Sequence, residues 1–316
     1  MPNAGVYPVA AGIRNMAADT MGMVPIVYSA KVLKRFYASV RTAAIANTLY
    51  EAEVKTQGDT VIIPRDPVMT ISDHRKGDNV VYEQPSSSPA TLLIDKGKRW
   101  AFSTNPIDDA QTHVKDYASR WTAAAGRDLA VAVDQDVLQN VYSSVNASNT
   151  GNSAGAISGD IALGVDGGTS VSLATTDIVA KIVQCGQVLD EQNIDQEGRW
   201  MVVPAWFKTV VLTSDLKDAS LAGDGTSISR NGRMGRIGDF ELFESNNLAT
   251  TTDGVGATAT HIIFGTRDAI TFASQITENE NIVNPLAFGR LLRGLMVYGY
   301  AVPQPTAIGD LYAKAA

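Results

Sequence analysis

Residues 90–109 read ATLLIDKGKRWAFSTNPIDD, and this stretch decides the fold. Lys98, Trp100 and Phe102 alternate, the period-two pattern of a strand with its aromatics on one face and Lys98 among the exposed positions. Asn105 then stands at an N-cap position and Pro106 suits a first helical turn. Asp108 and Asp109 favour the positive end of a helix dipole. A strand therefore hands over directly to a helix.

Upstream, GDTVIIPRDP (58–67) supplies the strand-formers Val61, Ile62 and Ile63, and SDHRKGDNVV (72–81) gathers Asp73, His74, Arg75, Lys76 and Asp78 around Gly77. Pro64, Pro67, Pro85 and Pro89 forbid a continuous central ladder. Residues from about Gly58 to Asn105 read as a long, irregular projection of two or three strands with a charged tip. A lone hairpin is marginal in water, so this one needs support from the body or a neighbour. Downstream, Ile107, Ala110, Val114, Tyr117, Trp121 and Ala124 step by three and four, and Leu129, Val133, Val137 and Val141 step by four. The spacing predicts one helix from Pro106 to about Val141, on the order of 50 Å long. A coiled coil is the rival, but the spacing drifts and Gly126 interrupts it, which favours a curved spine crossing a sheet.

Further out the signals are weaker. Residues 1–25 read as an extended arm, ordered on a partner or left as a free terminus. Val32, Phe36, Val40, Ala43 and Ala44, with Lys31, Lys34, Arg35 and Arg41 between them, predict a helix within 25–50. Residues 144–175 are rich in Ser, Gly, Asn and Thr and read as a mobile surface excursion. Thr176 and Asp177 offer caps for a helix to Asn193, whose apolar side includes Cys185 as a small buried residue. Arg199–Val203 reads as a buried strand ended by Pro204, Trp206–Leu212 as helical, and Lys217–Gly238 as a loop. Phe240–Glu244 and His261–Gly265 read as strands, Asp268–Ser274 as a short helix, and Arg290–Val302 as a strand pair.

The chain has 316 residues, one cysteine and a net charge of -7. It is long enough for a sizeable core, and its acidity argues against a surface built to wrap nucleic acid. No disulfide framework is available. The start lacks the basic region of a signal peptide, and no apolar run is long enough to cross a bilayer, so neither secretion nor a membrane partner is expected. His74, His113 and His261 stand apart from one another, without metal-ligand spacing, and read as surface or satisfied residues rather than catalysts. No nucleophile elbow, phosphate loop, dinucleotide fingerprint or calcium loop occurs, so no cofactor, metal or enzymatic activity is expected. The charged tip reads either as a solvated turn or as an intersubunit ion-pair site where mixed signs meet complementary surfaces.

The order of these parts resembles the major capsid proteins of tailed bacteriophages, with the Hong Kong phage-type capsid fold shared by encapsulins and herpesvirus capsid floors. The matching pieces are GDTVIIPRDP, ATLLIDKGKRWAFSTNPID, AGRDLAVAVDQDVL, RNGRMGRIGDFELFESNNL, RDAITFASQI and FGRLLRGLMVYGYAVPQPTAIGDLYA. The resemblance implies an α+β fold with an N-terminal arm and helix (1–55), an extended hairpin loop lying over the adjacent subunit (56–105), and a spine helix with peripheral and axial connections (106–194). An axial domain (195–260) and the return strands of a peripheral domain (261–316) complete it, with Lys217–Gly238 facing the capsomer axis. Candidate intersubunit contacts are Asp73, His74, Arg75, Lys76 and Asp78 at the tip, Lys98 and Trp100 in the returning strand, and Arg230, Arg233 and Arg236 in the second domain. The implied partners are copies of the chain in pentamers and hexamers, a separate scaffolding protein, a portal, a decoration protein, and packaged DNA touched only weakly. The implied place is the virion, with assembly in the host cytoplasm. An encapsulin-type shell is the nearest alternative, and a soluble hydrolase with a dispersed active site the alternative from another class.

Overall fold

A computed structural model describes residues 40–51, 60–67, 69–77, 79, 82–84, 86–107, 116–214 and 235–316. Three sheets and four helices make up the described chain. The largest sheet has seven strands in the order β4 (Val171–Leu173), β12 (Ile308–Ala315), β9 (Thr258–Thr266), β5 (Arg199–Val203), β7 (Phe240–Glu244) and β6 (Arg236–Ile237), with β8 (Thr250–Thr252) also on β9. β12 runs parallel to β4 and β5 parallel to β7; the other pairs are antiparallel.

β5, sequence RWMVV, is buried at every position because both faces of this sheet are covered. Met201 and Val203 point to one side, with Ile262, Phe264 and Leu311. There they meet α3 (Ile178–Glu191) and α4 (Ala205–Thr213) through Ile182, Cys185, Leu189 and Phe207. Trp200 and Val202 point to the other side, where Val137 and Leu138 at the end of α2 (Tyr117–Asn140) and Val141 just beyond it close over them. Each such buried side chain contributes roughly 1.5–3 kcal/mol. Arg199 is also fully buried, tied by Nη2 to Asp190 Oδ1 at 2.7 Å and to the Ile194 carbonyl at 2.5 Å, and by Nε to the Asp195 carbonyl at 2.9 Å. Such complete pairing is what a buried guanidinium requires.

The second sheet has the order β10 (Thr271–Val283), β11 (Arg290–Ala301), β3 (Lys96–Thr104), all antiparallel. The third is a two-stranded ladder, β1 (Thr60–Ile63) on β2 (Ala90–Leu93). So β3 does not belong to the projection: the strand carrying Trp100 pairs with β11 from the far end of the chain.

Other readings change too. Pro106 and Ile107 are helical, with the Ile107 N–H donating to Asn105 Oδ1 at 3.0 Å, but the spine is not one helix from Pro106 to Val141. Asp116 adopts φ 59, a left-handed conformation that no helix interior accommodates, and α2 starts at Tyr117. Its 24 residues span about 36 Å. Residues 108–115 lie outside the described residues. Within 25–50 only α1 (Thr42–Ile45) is described as helix. Arg41 precedes it with φ -122 and ψ -16, and residues before Val40 lie outside the described residues.

The polar stretch 144–175 is not a mobile excursion but packed structure. Ala154, Ile161, Leu163 and Leu173 enter the core, and Asn149 is buried with Nδ2 donating to the carbonyls of Thr306 and Ile308. Small and polar residues here satisfy backbone groups that a larger apolar loop would leave unpaired. Asp268–Ser274 is not a helix: a single 3-10 turn, Arg267–Ala269, leads into β10. Arg290–Val302 is not a strand pair: Arg290–Ala301 is the single strand β11. Residues 217–234 of the predicted loop lie outside the described residues, and its last part forms β6 and a turn at Gly238.

Candidate intersubunit surfaces

The root of the projection is anchored to the chain's own body. Ile63, Leu92 and Ile94 bury against Ala273, with Val297 and Ala301 packed around them. Gly299 of β11 permits this: a Cβ there would collide with the Leu93 carbonyl. Arg65 adds a hydrogen bond from Nη2 to the Pro303 carbonyl.

Beyond the root the support ends. Every described residue from Pro64 to Pro89 is exposed. Thr70 N–H donates to Glu83 Oε2 at 3.1 Å across the two limbs, and that bond holds the Glu83 carboxyl below its usual range. Apolar side chains share this exposure: Ile71 is 92% and Tyr82 90% accessible. Asp73, His74, Arg75 and Lys76 stand in the same segment, all exposed, and Asp78 lies outside the described residues. Large apolar side chains clustered in water mark a surface meant for another molecule.

Lys98 is exposed on β3, although the two-residue period puts it on the same face as Trp100 and Phe102. Trp100 is half-buried. It stacks on Phe102 at 5.6 Å, and Phe102 meets Trp121 of α2 edge-on at 5.7 Å, with Tyr117 4.8 Å further along. Trp100 thus heads an aromatic ladder that fastens the three-stranded sheet to α2. Arg236 is exposed on β6, its Nε donating to the Gly238 carbonyl at 3.3 Å. Arg230 and Arg233 lie outside the described residues. The candidates therefore fall on separate surfaces: the projection, one face of β3, and the β6–β7 turn.

Sequence reading missed a further surface. The turn joining β10 to β11, NPLAFG (284–289), leaves Leu286 94% and Phe288 92% exposed. Two apolar residues flanked by Asn-Pro and Gly are the only signal, and a 13-residue partner strand was needed to show that they sit at a hairpin end.

It also missed two polar fasteners, the first fully buried and the second partly so. Asp134 on α2 accepts from the N–H groups of Arg41 and Thr42 (2.7 and 2.8 Å), from Thr42 Oγ1 (2.7 Å) and, through Oδ2, from Asn247 Nδ2 (2.7 Å). Asp136 accepts from Lys96 Nζ at 2.9 Å and Tyr298 OH at 2.9 Å. Lys96 also donates to Tyr300 OH at 2.7 Å. Burial works against the Lys96 charge, but the bonds to Tyr300 and Asp136 outweigh it and raise its pKa. Burial first, and then the bond to Asp136, push the Tyr298 phenol well above its ordinary value.

His261 is not at a strand start but inside β9 and fully buried. Its Nδ1 lies 2.8 Å from Asp310 Oδ2, and its ring stacks on Tyr142 at 3.9 Å. Burial raises the Asp310 carboxyl, although the bond from His261 lowers it. Thr251 Oγ1 is 3.4 Å from His261 Nε2, so Asp310, His261 and Thr251 have the connectivity of acid, base and hydroxyl. With His261 sealed between Tyr142 and Tyr312, this trio serves as a core polar network. His74 is exposed, and His113 lies outside the described residues. Among the described residues no helix is long and apolar enough to cross a membrane.

Comparison with known proteins accounts for this arrangement. A family model described as phage capsid protein matches residues 90–311. A solved structure from Mycobacterium phage Che8 is 25% identical, with a TM-score of 0.72, covering 92% of this chain and 97% of that one. The capsid of cyanophage P-SCSP1u is 17% identical, with a TM-score of 0.72 over 93% and 94% of the two chains. The mature capsid of bacteriophage PhiM1 is 14% identical, with a TM-score of 0.67 over 93% and 92%. The last two share the fold. No match is found among curated proteins. The fold is α+β of the Hong Kong phage type, and the chain belongs to the phage capsid protein family.

Proposed function

We propose that this chain is the major capsid subunit of a phage head, taking its place in pentamers and hexamers of an icosahedral shell around the genome. The observation that carries the reading is the projection: a root packed on its own body and an outer part, 64–89, with every described residue exposed, Ile71 and Tyr82 among them. In a shell that outer part lies on the adjacent subunit, and the charged residues Asp73–Asp78 meet complementary groups there. Contacts between obligate partners bury on the order of 2,000–5,000 Å², and head-to-tail contacts of this kind close into rings.

In this reading the three-stranded sheet and α2 form the peripheral domain. The seven-stranded sheet with α3 and α4 forms the axial domain. Residues 261–316 divide between them, because β9 and β12 join the large sheet while β10 and β11 join the small one. A scaffolding protein, a portal and a decoration protein are the further partners, with assembly in the host cytoplasm. Packaged DNA is held weakly, since tight binding scales with phosphates neutralised by Lys and Arg and the chain carries -7. The phage capsid match favours a genome container over an encapsulin-type shell.

Deleting Ser72–Val80 tests the contact role. The expected product is a subunit with unchanged circular dichroism that no longer closes shells in negative-stain images. Normal shells of normal stability would remove the projection from the account.

A further inference from the structure

The three-stranded sheet carries its charges unevenly across its width. Its order is β10, β11, β3, so β10 and β3 are its two sides. The register sets Glu278 opposite Leu295 and Leu295 opposite Arg99, so one row on one face reads acid, apolar, base. All three residues are exposed, and so is Lys98, which adds positive charge to the β3 side from the other face. In the next row Glu280 is already neutralised, with Arg293 Nη2 2.5 Å from its Oε2. Among the described residues Glu278 and Arg99 have no such partner, and two strand spacings, roughly 10 Å, keep them from pairing with each other.

Direction matters as much as sign. β10 and β3 each run antiparallel to β11 and hence parallel to one another. Sideways repetition of the sheet in a second copy therefore keeps the rows level and brings Arg99 of one copy alongside Glu278 of the next. A two-fold pairing of β3 sides would instead set basic residues against basic residues.

We propose that the two sides of this sheet form a head-to-tail contact between copies, with Arg99 of one subunit facing Glu278 of the next and Lys98 adding to the positive side. The proposal rests on the shell reading above and adds to it a second contact, separate from the projection. A pairing of exposed charges is weak singly and falls with salt, but it recurs at every step around a ring.

Two full-length variants test it, Arg99→Glu and Glu278→Arg, under the conditions that give shells or rings from the unaltered chain. Both positions are exposed, so circular dichroism and melting should match the unaltered chain. Each variant alone should need about fivefold more protein to associate at low salt, read by sedimentation, and the difference should shrink at high salt. An equimolar mixture of the two should recover association, because the reversed β3 side of one then meets the reversed β10 side of the other. Recovery in the mixture cannot come from charges within one chain. Association by each variant as readily as by the unaltered chain would overturn the contact alone and leave the shell reading in place. Loss in both without recovery in the mixture would overturn it as well. An unaltered chain that never associates would overturn the shell reading and this contact together.

Discussion

Single carboxylates hold distant parts of this chain together. Asp134 is fully buried and collects four hydrogen bonds from residues 41, 42 and 247. Asp134→Ala would leave those donors facing apolar surroundings, at a cost of about 3 kcal/mol or more, read as a lower denaturation midpoint. Glu191 acts more locally. Its Oε2 accepts the N–H groups of Ile157 and Ser158 at 2.8 and 3.0 Å, and chiefly the Ser158 and Ile157 bonds bring its pKa from 4.5 down to about 2. A folded-state pKa below the unfolded one means the stabilisation is complete above pH 4.5 and disappears as pH falls towards 2. Glu191→Gln should therefore flatten the acid limb of thermal stability between those values and change little near neutrality. Neither role is legible in the sequence. In AVAVDQDVL, Asp134 reads as part of a helix's polar side, because its partners lie about 90 and 113 positions away. Cys185 was legible, since its neighbours at helical spacing already defined a buried face.

At the scale of elements, glycines and aromatics decide how strands cross. β2 can lie against β11 because Gly299 presents no side chain to the Leu93 carbonyl. Gly299→Ala should force the root of the projection away from the sheet, costing about 1–3 kcal/mol by denaturant titration and raising hydrogen exchange in β1 and β2. Strands with strong local patterns, Val61–Ile63 and Arg199–Val203, were readable, and so was the helix around Cys185. What failed were elements set by non-local pairing. β10 carries Thr277, Glu278, Asn279, Glu280 and Asn281, which look like loop residues until β11 supplies a ladder. β12 is central in its sheet, yet its run IGDLYAKA has no clean alternation because both of its faces are buried. The helical start at Pro106 was readable from the Asn105 cap, whereas the interruption at Asp116, after which α2 begins, is a backbone event that composition does not announce.

At the scale of the molecule, the most exposed large apolar side chains among the described residues mark the outer projection, around Ile71 and Tyr82, and the β10–β11 turn, around Leu286 and Phe288. Both lie away from the body's core clusters, and both carry apolar groups that water solvates poorly. The order of parts along the chain was enough to suggest a capsid subunit, but the surfaces themselves emerge only when the body is folded and these segments are seen to be left over. The account claims that identical copies cover them. Negative-stain electron microscopy of the purified full-length chain, expressed with and without its neighbouring genes and checked by sedimentation at high concentration, tests this most directly. Closed shells, or five- and six-membered rings, are the predicted result. A monodisperse monomer under both conditions would contradict it.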